Sequence, residues 1–430
     1  MTTKTKTILP LLLALCLGGV ACDSADDTPS GAATDPDALV ETAPPAAAPV
    51  ALARAESDKM LEAPERLTMP GAKAAFEEVR TLVQDKYVDG PLTEDELWTA
   101  AMQGVTDRLV QLEGHRINKL MSPEAVGELM IGTKGRMVGV GIMIEQVADV
   151  VVVREVIADG PAEVAGLEAG DRILGIDGQR IGSTGLAEIV GKIRGEEGTK
   201  VDLFVQRDTE EWTETITRGQ VKVGSVQSAT LPDGGGYLRI TSFSEDTPAE
   251  IDEQLGALVA GGAKSLVLDL RGCPGGLLET ALEVGERFLP PGRKLVTVAH
   301  RDGTTEVHET KAEHPFHELP MVVLIGPHTA SGAEILADAL REHGRATLLG
   351  DQTLGKHTVE EIHELSGGWA LKLSVSRFES ASGESTQGVG VTPDIHIPMP
   401  ETFKPAPVRE LDLGTDAVLA AGAHLLARGG

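Results

Sequence analysis

The chain is poor in aromatic residues, poor in cysteine and short of positive charge. Phe, Trp and Tyr make up 3% of its 430 residues, too few for the stacking platforms on which single-stranded nucleic acid lies. Lys and Arg number 38 against 66 Asp and Glu, a formal net charge of −28. A chain this acidic repels phosphate backbones, which excludes nucleic acid as a partner. The 3 cysteines stand at 16, 22 and 273. The first two lie in an export-like leader, so a disulfide framework is excluded. Beyond that leader no run is long and apolar enough to span a bilayer. His-Glu-x-x-His is absent and the histidines form no other metal motif, so neither a metal nor a cofactor is expected. What is present is apolar material: 41% hydrophobic and 24% charged residues suffice for real cores. The length suggests two or three domains, or one large domain with an insert.

Residues 1–22 have the layout of an export signal. Lys4 and Lys6 form a short basic region, and Ile8 to Val20 form an apolar core too short for a comfortable membrane span. Gly19-Val20-Ala21-Cys22 ends the run with small residues and a cysteine. This resembles a bacterial lipobox, which implies acylation of Cys22 and a lipid-anchored position in the cell envelope or periplasm. Simple cleavage after Ala21 is the alternative. Residues 23–60 are rich in Ala, Pro, Asp, Ser and Thr and read as a flexible tether.

The remainder divides by pattern. Residues 61–134 read as helical: Phe76, Val79, Leu82 and Val83 recur at helical spacing within Ala74 to Tyr87, and Leu97 to Leu109 follows a Thr93–Glu96 capping box. Glycine-rich strand patterns fill 135–217. From 218 to 405 buried strand runs, such as Leu266 to Leu270 and Met321 to Ile325, alternate with helices at Glu279 to Phe288 and Gly332 to His343. Residues 406–430 end in an Ala/Leu-rich helix, Leu411 to Arg428.

Two resemblances follow from ordered motifs. Gly139-Val140-Gly141-Ile142, Gly160 to Leu167, Ala169 to Gly178 and Gly195 to Arg207 occur in the order found in a PDZ domain. The physics suits that resemblance, because glycines let successive backbone N–H groups converge on a carboxylate beside a strand edge open to an extended peptide. Gly139, Val140, Gly141 and Ile142 are therefore the candidate peptide-binding loop.

The third block resembles the C-terminal processing peptidases, or tail-specific proteases. The resemblance rests on Gly236 to Phe243, on Leu268-Asp269-Leu270-Arg271-Gly272-Cys273-Pro274-Gly275-Gly276, on Thr329-Ala330-Ser331-Gly332-Ala333-Glu334, on Thr353-Leu354-Gly355-Lys356 and on Gln387 to Asp394. It implies an α/β fold, a crotonase-like ββα peptidase core with an inserted β-rich PDZ domain and an N-terminal helical region. It also implies a serine endopeptidase that uses no cofactor. Ser331 would be the nucleophile and Lys356 its base, with the amides of Gly275 and Gly332 forming the oxyanion hole. Taken alone, Ser331 and Glu334 spell an ordinary capping box, and Asp269 and Arg271 read as braces of their loop. Where the family usually has glutamine hydrogen-bonded to the lysine, this chain has Glu360. A carboxylate there would favour the charged ammonium and weaken the base. His357, next to the lysine, could share proton transfer.

Two functions therefore compete. One is an exported serine endopeptidase whose partners are proteins or peptides with free apolar C-termini. The other, motivated by Glu360 and His357, is a non-catalytic PDZ adaptor or ligand-binding protein on the same fold.

Overall fold

The computed structural model describes residues 8–11 and 71–429, except 114–116, 148, 149, 183, 401 and 404. Apart from Ile8–Leu11, the expected leader with Cys22 and the tether 23–60 lie outside the described residues. The chain divides into two compact units. The larger contains Met1–Glu128, Gln227–Phe243 and Ile251–Gly430, and the smaller contains Leu129–Val226 and Ser244–Glu250.

The larger unit begins with α1 (Ala72–Lys86) and α2 (Glu94–Glu113). The expected capping box forms just before α2: Thr93 N–H donates to Glu96 Oε2 at 2.7 Å, and Glu96 N–H returns to Thr93 Oγ1 at 3.2 Å. Phe76 and Trp98 bring the two helices together, with ring centroids 5.5 Å apart.

The smaller unit is an antiparallel sheet in the order β1 (Ile142–Val147), β2 (Val150–Val156), β3 (Arg172–Ile176), β4 (Lys200–Arg207) and β5 (Glu210–Thr217). Two helices accompany it, α3 (Pro161–Val164) and α4 (Leu186–Ile193). Strand periodicity decides the core. Val201, Leu203 and Val205 alternate inward on β4 and join Val151, Val153, Ile173 and the α4 residues Ile189 and Ile193. Arg218 closes the carbonyl end of α4, its Nε donating to Ile193 O at 2.8 Å and its Nη2 to Lys192 O at 3.0 Å. A cation at a helix C-terminus is favoured by the helix dipole. Gly195 leaves room for it, since a Cβ there would lie 2.8 Å from Arg218 Nε.

The rest of the larger unit has two sheets. The first runs β6 (Val226–Thr230), β7 (Gly236–Ile240), β8 (Leu266–Asp269), β11 (Met321–Ile325), β12 (Thr347–Gly350) and β15 (Ile395–His396), and is parallel from β7 onward. Strands β7, β8 and β11 are buried at every position, as interior strands of a parallel sheet are. The second sheet is antiparallel, in the order β13 (Thr358–Glu364), β14 (Ala370–Glu379), β9 (Lys294–His300) and β10 (Thr305–Glu309). Ile8–Leu11 lies along β13, and Lys119–Met121 along β14. Helices α5 (Leu278–Phe288) and α6 (Gly332–Glu342) follow β8 and β11. Their Leu278 and Ile335 pack on Val296, Val298, Val359 and Phe378 of the antiparallel sheet. On the parallel sheet, Val418, Leu419 and Ala423 of α7 (Ala417–Gly429) pack with Tyr237, Val267 and Leu324. Helix α7 starts later than its Ala/Leu pattern suggests, because Asp416 caps it, accepting Leu419 N–H at 3.0 Å. This is the expected class: an α/β core and a separate β-rich unit.

Candidate active site

Strand β11 ends in a short turn, and Ser331 is the N-cap of the helix that follows. Its backbone lies at φ 61°, ψ −121°, a region costly for a residue with a Cβ. The side chain is fully buried. The capping box with Glu334 is present, Glu334 Oε2 accepting Ser331 N–H at 2.8 Å. That box engages the backbone around Ser331 and does not exclude a second contact for the hydroxyl. Lys356, buried in the loop after β12, places Nζ 3.4 Å from Ser331 Oγ. Glu360, on β13, does reach the lysine: Lys356 Nζ donates to its Oε2 at 2.7 Å, while Thr358 Oγ1 donates to its Oε1 at 2.7 Å.

Two further residues of the site escape a motif reading. Glu334 does more than cap a helix. Its Oε1 accepts Thr353 Oγ1 and, at 2.7 Å, Gly355 N–H, while its Oε2 also accepts Lys356 N–H at 2.9 Å. One carboxylate thus ties the serine turn to the lysine loop. Burial pushes Glu334 above the usual carboxylate range, against the pull of those donors. The other residue is Lys372 of β14, whose Nζ lies 3.6 Å from Glu360 Oε2. Burial lowers Lys372 to about 8, with Glu360 opposing the shift and Lys356 and Lys119 adding to it.

The Pro274-Gly275-Gly276 turn lies against the serine turn. Gly275 has φ 97°, and a Cβ on it would fall 2.8 Å from Ser331 Cβ and 3.0 Å from Gly332 N. Only glycine allows that approach. A Cβ on Gly276 would meet Phe243 O at 2.2 Å. Asp269 and Arg271 hold the turn from below. Asp269 Oδ1 accepts Arg271 N–H at 2.9 Å and its Oδ2 accepts Tyr237 Oη at 2.6 Å; Arg271 bonds both Asp269 and, at 2.8 and 2.7 Å, Asp416. Burial opposes the Asp269 charge, but Arg271 beside it holds the carboxyl below its usual range. Cys273 is buried here, its thiol pushed up to about 12 by desolvation.

The His357 ring is engaged away from the serine hydroxyl. It stacks on Phe378, centroids 4.3 Å apart, and Nε2 meets Thr386 Oγ1 at 2.5 Å. Burial lowers it to about 3, so the ring is neutral near pH 7. Among the described residues no group of three His, Cys, Asp or Glu could hold a metal ion.

In the smaller unit, Gly139 to Ile142 leads directly into β1, an outer strand of its sheet. Val140 O accepts Ala162 N–H at 2.7 Å and Gly141 O accepts Ile157 N–H at 2.9 Å. Two loop carbonyls are thereby directed inward, and Gly141 takes φ 83°.

This arrangement is that of a serine-type peptidase joined to a peptide-binding module. The Peptidase family S41 model matches residues 234–397, and a PDZ domain model matches residues 152–207. The chain is 34% identical to a carboxyl-terminal-processing protease of Picosynechococcus sp. over 325 residues, covering 74% of this chain and 77% of that protein. It is 35% identical to a carboxy-terminal-processing protease of Bartonella bacilliformis, covering 76% and 75% of the two chains. The crystal structure of an S41 protease from Bacteroides fragilis shares the fold, with a TM-score of 0.50 at 17% identity over 75% of this chain and 90% of that one. The chain belongs to the carboxyl-terminal-processing proteases of family S41, and it is a serine-type peptidase.

Proposed function

We propose that Ser331 and Lys356 form the catalytic dyad of an exported endopeptidase that trims proteins carrying free apolar C-termini. The observation that carries the reading is the buried Lys356 Nζ at 3.4 Å from Ser331 Oγ, a distance that tightens readily once substrate is bound. Lys356 takes the Ser331 proton as Oγ bonds to the scissile carbonyl carbon. The Gly275 and Gly332 amides hold the oxyanion. The lysine ammonium then protonates the departing amine, the C–N bond breaks, and an acyl-enzyme remains. Water, deprotonated by the same lysine, hydrolyses the ester. Gly139, Val140, Gly141 and Ile142 take the substrate's terminal carboxylate, while the extended tail adds to the edge of β1. The Gly19-Val20-Ala21-Cys22 sequence supports export to the cell envelope with a lipid on Cys22.

The test uses residues 60–430 and an unfolded protein ending in an apolar tail. Ser331→Ala should abolish cleavage while leaving the circular dichroism unchanged. Cleavage by Ser331→Ala at the wild-type rate would overturn the dyad. Amidating the substrate C-terminus should raise KM and leave kcat nearly alone; identical kinetics for acid and amide would remove carboxylate capture from the reading.

A further inference from the structure

The base of this site is set inside a buried cluster of two lysines and one carboxylate. Lys356 Nζ and Lys372 Nζ lie 2.7 and 3.6 Å from the same atom, Glu360 Oε2. All three side chains are almost wholly excluded from water, with relative exposures of 3%, 6% and 0%. Each comes from a different segment: the loop after β12, the first residues of β14, and β13. The antiparallel register of β13 and β14 sets Lys372 opposite Ile362, which brings it within reach of Glu360. Other groups around the cluster include Thr358, whose hydroxyl bonds Glu360 Oε1, Ser331, Lys119, paired with Lys372 across Lys119–Met121, and Glu334, which holds the Lys356 backbone.

Charge in such a place is costly unless balanced. With both lysines protonated the trio carries a net charge of +1. With one protonated it is neutral. We propose that Lys372 is a positioning residue of the reaction: the trio keeps one lysine proton to balance Glu360, and when that proton passes through Glu360 to Lys372, Lys356 faces Ser331 as a free amine. A neutral amine keeps two N–H bonds and one lone pair. One N–H donates to Glu360, and the lone pair receives the Ser331 proton. When the Ser331 O–H bond breaks, that proton moves to Lys356 and the trio becomes +1, until Lys356 passes it to the leaving amine. Glu360 is then no handicap to the base. Glutamate with a second lysine supplies the same charge balance as an uncharged residue with none, and it adds a strong acceptor that fixes the amine.

This inference rests on the Ser331–Lys356 reading, and its test separates the two. The pH dependence of kcat/KM is measured on one unfolded, apolar-tailed protein for wild type, Glu360→Gln, Lys372→Met and the double variant, with Ser331→Ala as reference. In wild type, freeing Lys356 takes the trio from +1 to neutral. Lys372→Met makes the same step run from neutral to −1, so the rise should move at least one pH unit to the alkaline side, an approximately tenfold loss near neutrality. Glu360→Gln leaves two cations together, and its rise should move to lower pH. The double variant again steps from +1 to neutral, and its profile should return toward wild type. A merely structural lysine would give none of this rescue. Should Lys372→Met not fold, Glu360→Gln alone decides. An unmoved profile in either folded single variant, or no return in the double variant, overturns the role of Lys372. Activity surviving in Ser331→Ala overturns the dyad instead.

Discussion

The peptidase unit contains two buried ionic clusters, and they are built for opposite purposes. Beneath the Pro274-Gly275-Gly276 turn, Arg271 is clasped by Asp269 and Asp416 through parallel bonds of 2.7 to 3.1 Å. At the serine turn, Lys356 and Lys372 share Glu360 through single contacts. A guanidinium is planar, always charged and directional. An ammonium is a point charge on a flexible stem, and burial can strip its proton. The first cluster therefore has one protonation state and one geometry, whereas the second can gain or lose a proton. Rigidity is placed where a backbone amide must be held, and a movable proton where a base is needed.

Exchanging the cations is the most direct way to break the comparison. Lys356→Arg keeps charge and length but cannot release a proton. It should cost about 10⁴-fold or more in kcat with the thermal transition almost unmoved. Appreciable turnover by this variant would mean that the base lies elsewhere. The reverse exchange, Arg271→Lys, keeps the charge but loses the double forks to Asp269 and Asp416. It should destabilise the peptidase unit by about 3 kcal/mol in urea unfolding, while turnover of the molecules that remain folded changes far less. Equal stability would show that the forks are dispensable. The smallest effect belongs to His357. Its ring is neutral, stacked on Phe378 and bonded to Thr386. Burial lowers it to about 3, so it gains charge only in strong acid. His357→Phe should leave the pH–rate profile in place, and a displaced limb would give the ring a share in proton transfer.

How far the sequence could be read follows from how local each contact is. Ser331, Lys356, Glu360 and the Gly275 turn sit inside short motifs, and each is legible from its neighbours. The PDZ loop is legible for the same reason. Lys372 is not. It lies in Ala370-Leu371-Lys372-Leu373-Ser374, where a lysine between leucines on an alternating strand reads as the wet face. The only hint is that it shares its face with Ala370 and Phe378, both buried. The Arg271–Asp416 fork joins residues 145 positions apart, a pairing that nothing local announces. Glu334 lies between these cases. Its capping role is plain in the sequence, but its grip on Gly355 and Lys356 exists only once two loops converge. The start of α7 departs from the apolar pattern for a similar reason. Leu411 and Leu413 fit the apolar pattern, yet they pack against the parallel-sheet core from an irregular segment.

The φ of 61° at Ser331 has a consequence for how such a turn is retained through generations of random substitution. Glycine would sit there without strain, and relief from such a backbone conformation is of order 1 to 3 kcal/mol. Mutational drift toward greater thermal endurance would thus erase the hydroxyl, and on the proposed dyad the hardier molecule would cut nothing. With Ser331 as the proposed nucleophile, a relative freed from the demand for cleavage should lose this side chain before it loses the fold around it.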